Sequence, residues 1–150
     1  MKGKLVILIG PPAAGKSTWL HQFSGEVIST DDIRRREFGV QYDQQLEPAV
    51  WQLAYERLEE YIRSGKDVCF DATNTTRGRR KPLIELAKKY GAGVEGVVFL
   101  QELDVLIKRN RSRPPGKKVP EEVIKDKLQE LEMPSYEEGF DKIEFLEVFR

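Results

Sequence analysis

The sequence predicts an α/β domain in three layers: a mostly parallel central sheet between two layers of helices, with a small helical lid. Two observations carry that expectation. Apolar strand-like runs alternate with amphipathic stretches along the whole chain, the pattern of a parallel sheet whose crossovers are helices. The first of these runs leads straight into residues 10–17, GPPAAGKS, which fit G-x-x-x-x-G-K-[ST] at every fixed position. The length of 150 residues, with 39% hydrophobic and 33% charged side chains, suits one domain over 1–150 with a full core and a richly charged surface.

In chain order, the run LVILI gives a first strand over about 4–9. A helix follows the glycine loop over 16–23. A short second strand, 26–29, ends at Thr30-Asp31-Asp32, where Thr30 or Asp31 can cap a helix over 32–38. Residues 39–47 read as loop or a helical turn. Pro48 suits a helix start, and 49–64 is helical: Val50, Leu53, Ala54, Leu58, Tyr61 and Ile62 recur at three- and four-residue spacing, with Gly65 as the stop. On that helix Trp51, Tyr55 and Tyr61 read as packing residues. The third strand is 68–72, the next helix 79–90, and the fourth strand 94–100. A helix over 103–112 runs into the Pro114-Pro115-Gly116 break, another over 120–132 follows, and 143–148 is the final strand.

The glycine loop has a specific physical use. Its turns point successive backbone N–H groups inward at an anion, and the helix after it adds a positive N-terminal end. The Lys16 ammonium then neutralises the β- and γ-phosphates, and the Ser17 hydroxyl ligates Mg²⁺. The sequence therefore predicts a nucleoside-triphosphate site of the P-loop type.

Composition narrows the partners. Lys and Arg total 25 against 25 for Asp and Glu, so overall charge favours no anionic partner. Basic residues are instead clustered, at 34–36, at 77–81 (RGRRK) and at 108–118 (KRNRSRPPGKK), each of which in isolation reads as a solvated face. The single cysteine, Cys69, lies in a strand and is expected to be buried and inert. The N-terminal residues, MKGKLVILIG, carry no long apolar signal region and no run is long enough to span a membrane. A cytoplasmic location is expected, in the host cell if the gene is viral. Oligomeric state has no signature in the sequence.

Ligands of open α/β sheets sit at the carboxyl ends of the strands. After strand two comes S-T-D-D-I-R. Asp31 is a candidate general base for a hydroxyl acceptor, or simply the helix cap; Arg34, one turn on, is a candidate for an acceptor phosphate, or a surface arginine. After strand three, Asp71 is placed to hold the metal directly or through water, and Thr73 and Asn74 to touch the acceptor. Arg109 and Arg113 share one helix face ahead of the proline break, as guanidinium groups of a lid closing on the triphosphate would. His21 reads as a surface or packing residue.

Together GPPAAGKSTW, VISTDDIRR, VCFDATNTTRGRRKPLIELAKKYG, KRNRSR and KKVPEEVI resemble the kinase domain of polynucleotide 5′-hydroxyl kinases, of the phage enzyme type and the bacterial RNA end-healing type. The resemblance covers nearly the whole chain. It implies an adenylate-kinase-like P-loop fold with a lid at about 109–133. It also implies that Asp31, Lys16, Arg34 and Arg113 are the catalytic residues. Gly10, Pro12, Ala13, Ala14, Gly15, Lys16, Ser17, Thr18, Arg109 and Arg113 would bind ATP or another nucleoside triphosphate. Arg34, Thr73, Asn74, Val119, Pro120 and Val123 would face the 5′-OH end of DNA or RNA, and Mg²⁺ would meet Ser17 directly and Asp71 through water. Position 72 is Ala, as in the bacterial type, where the phage type carries its acid. No D-x-D-x-[TV] pair of a 3′-phosphatase is present, which implies a kinase without end trimming. Two rivals are a P-loop kinase of a small molecule or tRNA-linked group, and a nucleotide-binding regulatory module.

Overall fold

Alternation of side chains along a strand sends neighbours to opposite faces, so a run apolar at every position must be covered on both. Strand β1 (Lys4–Ile9) is such a run from Leu5 onward, and it lies at the centre of the sheet. A computed structural model describes residues 3–147. Leu5, Ile7 and Ile9 join one hydrophobic cluster and Val6 and Leu8 a second, on the other face.

Five strands pair in the order β2 (Glu26–Ser29), β3 (Val68–Asp71), β1, β4 (Gly93–Leu100), β5 (Lys142–Glu147), and every pairing is parallel. The expected mostly parallel sheet is thus wholly parallel among the described residues. From β1 the chain first crosses to the edge strand β2 and returns through β3 between them, then crosses to the other side for β4 and β5. The carboxyl end of β1 is therefore the switch point, where diverging connections open a crevice.

The first cluster is covered by α2 (Thr30–Phe38), α3 (Glu47–Arg63) and α4 (Arg77–Lys89); Val50, Ala54, Leu58 and Ile62 of α3 give the buried stripe. The second is covered by α1 (Lys16–Leu20), α5 (Leu103–Arg111) and α6 (Glu121–Glu130), through Trp19, Leu20, Leu106 and Ile124 among others. Cys69 is buried there, and burial pushes its thiol up, so it is inert as expected.

Several boundaries differ from expectation, each for a local reason. Helix α1 has five residues rather than eight; beyond Leu20 the chain continues as single turns, Gln22 N–H to Trp19 and Phe23 N–H to Leu20. Neither Thr30 nor Asp31 caps α2. Ser29, in extended conformation, accepts from the Asp32 N–H at 3.2 Å, so the helix starts two residues early. Helix α4 likewise starts at Arg77 because the Thr76 hydroxyl accepts from the Arg79 N–H. Around Pro115–Lys117 the chain makes a 3₁₀ turn, not a bare break. Val148, assigned above to the last strand, lies outside the described residues.

Candidate active site

The residues at the strand carboxyl ends converge on one cavity of about 2260 Å³. The P-loop forms its floor. Gly10 closes β1 where a Cβ would lie 3.2 Å from both the Cβ and the carbonyl oxygen of Phe99. Gly15 adopts φ +106°, a conformation that side chains oppose, and turns the chain into α1. Ala14 is buried behind the loop, while Pro12, Ala13, Lys16, Ser17 and Thr18 line the cavity. With α1 so short, its dipole adds little to whatever charge the loop N–H groups and Lys16 present to the cavity.

The Lys16 ammonium donates to the carbonyls of Gly10 (2.6 Å) and Pro11 (3.2 Å), which fixes it across the loop mouth. Burial lowers its pKa to about 8, against the opposing pull of Asp71 and Asp31. A triphosphate binds the protonated amine better and raises that pKa. ATP affinity should therefore hold below pH 8 and weaken above it, by up to about tenfold per pH unit. Titration calorimetry from pH 7 to 9.5 checks this, and a flat profile would contradict it.

At the end of β2, the Ser29 cap leaves the Asp31 side chain unengaged in capping. Asp31 is 69% exposed and accepts from Arg34 Nη1 at 2.7 Å. Arg34 is held far more tightly than its surface-arginine reading allows. Its Nε and Nη2 donate to the two oxygens of Glu47, at 2.8 and 2.7 Å, and its side chain is only 12% exposed. Those Arg34 hydrogen bonds hold the Glu47 carboxyl below the usual range despite partial burial. Three hydrogen bonds use three of the five guanidinium N–H groups, leaving two for a ligand. Glu47 escaped the sequence reading because its partner lies 13 residues away across a loop; no local pattern marks it.

At the end of β3, Asp71 and Thr73 line the cavity, and burial pushes the Asp71 carboxyl above its usual range, with Lys16 as the main counterweight. The chemistry fits Mg²⁺, which keeps waters and takes phosphate oxygens alongside one or two protein oxygens, here Ser17 and Asp71. Asn74 also lines the cavity, but it is 2% exposed and adopts φ +47°, and its amide donates to Leu8 O at 2.8 Å, so only its Oδ1 lacks a protein partner among the described residues. It braces β3 against β1 beside the Thr73 carbonyl, which accepts from the Gly10 N–H at 2.9 Å.

Behind Asn74 stands Arg80, which the basic cluster at 77–81 had suggested was solvated. It is fully buried, donates to Asn74 O at 2.9 Å, and forms a two-pronged pair with Glu138 at 2.9 and 3.1 Å. A signal existed: Arg80 shares the apolar stripe of Leu83, Ile84 and Ala87 at helical spacing.

The lid roofs the cavity. Arg109 reaches the Ala13 carbonyl at 3.5 Å, and Arg113 has a buried Nη1 with no protein partner. Both arginines and Val119, Pro120 and Val123 line the cavity. Buried Asn110 clamps the lid loop, exchanging hydrogen bonds of 2.7 and 3.0 Å with the backbone of Val119. The far end of the lid is tied down by Thr75, whose carbonyl accepts from Glu132 N–H at 2.7 Å. Gln41 donates across the cavity to Lys118 O at 2.9 Å.

A family model described as an AAA domain matches residues 5–134, most of the chain. The chain belongs to the AAA domain family. This AAA-domain protein is 29% identical over 154 residues to an L-seryl-tRNA(Sec) kinase of Methanococcus maripaludis; the match covers 91% of this chain and 56% of that kinase. The chain thus spans little more than half the length of that curated relative. Among solved structures it resembles a chain of the Pnkp1/Rnl/Hen1 RNA repair complex, with TM-score 0.76 and 24% identity over 87% of this chain and 44% of that one. A gluconokinase from Sinorhizobium meliloti 1021 gives TM-score 0.62 and 22% identity over 99% and 83%. At such identities the structural likenesses establish the P-loop, adenylate-kinase-like fold. Family and fold together make this an AAA-domain protein with a P-loop at residues 10–17. No helix among the described residues is long and apolar enough to cross a membrane.

Proposed function

We propose that this P-loop protein is a kinase that transfers the γ-phosphate of ATP to the 5′-hydroxyl end of DNA or RNA. One observation carries the reading: Arg34 stands beside the Asp31 carboxylate with two donors to spare, clamped by Glu47 within the P-loop cavity. A base for a hydroxyl next to a rigid cradle for a phosphate suits a 5′-OH nucleotide, which carries both groups on one sugar. The cavity is also more than twice the size of an ordinary small-molecule pocket of about 300–1,000 Å³, which leaves room for a donor and a chain-like acceptor.

In this mechanism the loop N–H groups and Lys16 hold the β- and γ-phosphates of ATP. Ser17 and Asp71 would hold Mg²⁺, which would supply charge neutralisation at the phosphates. Arg34 orients the acceptor through its first internucleotide phosphate, and Thr73 lines the wall beside it. Asp31 takes the proton as the 5′-oxygen attacks in line, and Arg113, with Arg109 behind it, meets the charge that develops on the leaving phosphates. Val119, Pro120 and Val123 of the lid lie over the terminal nucleoside.

Labelled γ-phosphate should transfer to a 5′-OH oligonucleotide and to a nucleoside 3′-phosphate. A free nucleoside, lacking the Arg34 contact, should be poorer by about tenfold or more in kcat/KM. Equal use of the free nucleoside would remove Arg34 from the acceptor role. The identity to an L-seryl-tRNA(Sec) kinase across 91% of this chain favours a second reading, a tRNA-linked hydroxyl acceptor. Seryl-tRNA labelled in place of oligonucleotide ends would establish that one.

A further inference from the structure

The cluster at 77–81 reads as a single basic patch, but the fold gives its arginines separate tasks. Arg80 is buried against Glu138, and Arg77 lies 3.9 Å from the same carboxylate. Arg79 faces the cavity, and no carboxylate among the described residues pairs with it. Its guanidinium lies over the indole of Trp51, 4.7 Å from the ring centroid. Trp51 is in turn stacked on buried Phe70, with centroids 5.8 Å apart and planes 29° from parallel. The core therefore holds the indole still, and the indole backs the guanidinium.

The position of this stack matters. Glu47, Trp51 and Tyr55 recur every four residues on α3, and all three line the cavity. Each step of four advances about 6 Å along the helix. Glu47 fixes Arg34, next to Asp31, so the Trp51–Arg79 stack comes one helical turn away from that pair along α3. The expectation that Trp51 and Tyr55 only pack is thereby corrected: both pack, and both also face the cavity.

We infer that the Arg79 guanidinium, backed by Trp51, is the subsite for the second nucleotide of the acceptor, whose base stacks on its outer face. Planar guanidinium and aromatic surfaces accept any base in this way, so the subsite reads length and unpaired character rather than sequence. A base that is still paired in a duplex cannot reach it. The preferred acceptor is thus a 5′ end whose second nucleotide is single-stranded. This inference rests on the 5′-hydroxyl reading above.

Three acceptors test it: a nucleoside 3′-phosphate, a 5′-OH dinucleotide with a 3′-phosphate, and the same dinucleotide with an abasic second position. The intact dinucleotide should exceed the abasic one by about tenfold in kcat/KM, the lower range for one base stack. Arg79→Ala should shrink that ratio to about twofold or less. Arg79→Lys, which keeps the charge and loses the plane, should shrink it too. Thermal melts of both variants confirm folding, which an exposed position makes safe. Equal use of intact and abasic dinucleotides by the unaltered protein overturns the subsite, as does a ratio that survives Arg79→Ala, while transfer to the nucleoside 3′-phosphate would leave the function reading standing. No transfer to any of the three overturns both.

Discussion

Asp31→Ala should lose phosphoryl transfer almost completely, with kcat lower by about 10²–10⁴-fold, the range typical of a lost general base. Asparagine at 31, which keeps the shape but cannot take a proton, should do nearly as badly. Both kcat and kcat/KM should fall together, because the proton moves only as the 5′-oxygen attacks. The structure removes the competing explanation of such a loss. Ser29, not Asp31, caps α2, and the Asp31 side chain is largely exposed, so the fold has little to lose. ATP binding at neutral pH should persist. Asp31 is one of two carboxylates that raise the pKa of Lys16, and Asp71 is the larger influence. The check is initial-rate kinetics on a 5′-OH oligonucleotide beside calorimetry for ATP. Transfer within about tenfold of the unaltered protein would exclude Asp31 as the base.

The largest effect on stability should come from a residue remote from the chemistry. Glu138→Ala leaves the Arg80 guanidinium buried with only the Asn74 carbonyl as partner. Breaking a buried pair from one side costs about 3–5 kcal/mol, which in a domain of this size lowers the melting temperature by roughly 10 °C. The double variant Arg80→Met with Glu138→Leu should recover much of that loss, since it removes both charges rather than orphaning one. The loss should reach the P-loop as well: Arg80 holds the Asn74 backbone, whose side chain braces Leu8 at the root of the loop. A melting shift under about 2 °C for Glu138→Ala would mean that the pair contributes little.

Much of the architecture could be read from local pattern. The five strands, the helices between them and the lid span each have a signature within a window of a few residues: an apolar run, a four-residue stripe, a proline or glycine stop. The P-loop was legible for the same reason, since its chemistry is written in eight consecutive residues. What escaped was long-range or conditional. The Ser29 cap was hidden among four consecutive candidates, Ser29 to Asp32, all able to cap. Glu47 and Arg34 meet only because α3 packs beside α2. Asn74 has a bracing task that its type alone does not announce: its amide reaches Leu8 O on the neighbouring strand. Arg80 looked solvated because it sits among charges, although its helical phase placed it with leucine and isoleucine.

Trp19 and Trp51 are the chain's two tryptophans, and both line the cavity. They stand on opposite faces of the sheet: Trp19 on the helix that leaves the P-loop, stacked on Phe23 at 5.5 Å, and Trp51 on α3, stacked on Phe70. The molecule thus carries one intrinsic fluorophore beside the P-loop and another beside Arg79, on the side proposed for the acceptor. Trp19→Phe and Trp51→Phe would each leave a single emitter. The emission of either one then follows the filling of its own half of the site, without an attached dye and in a chain whose lone thiol is sealed in the core.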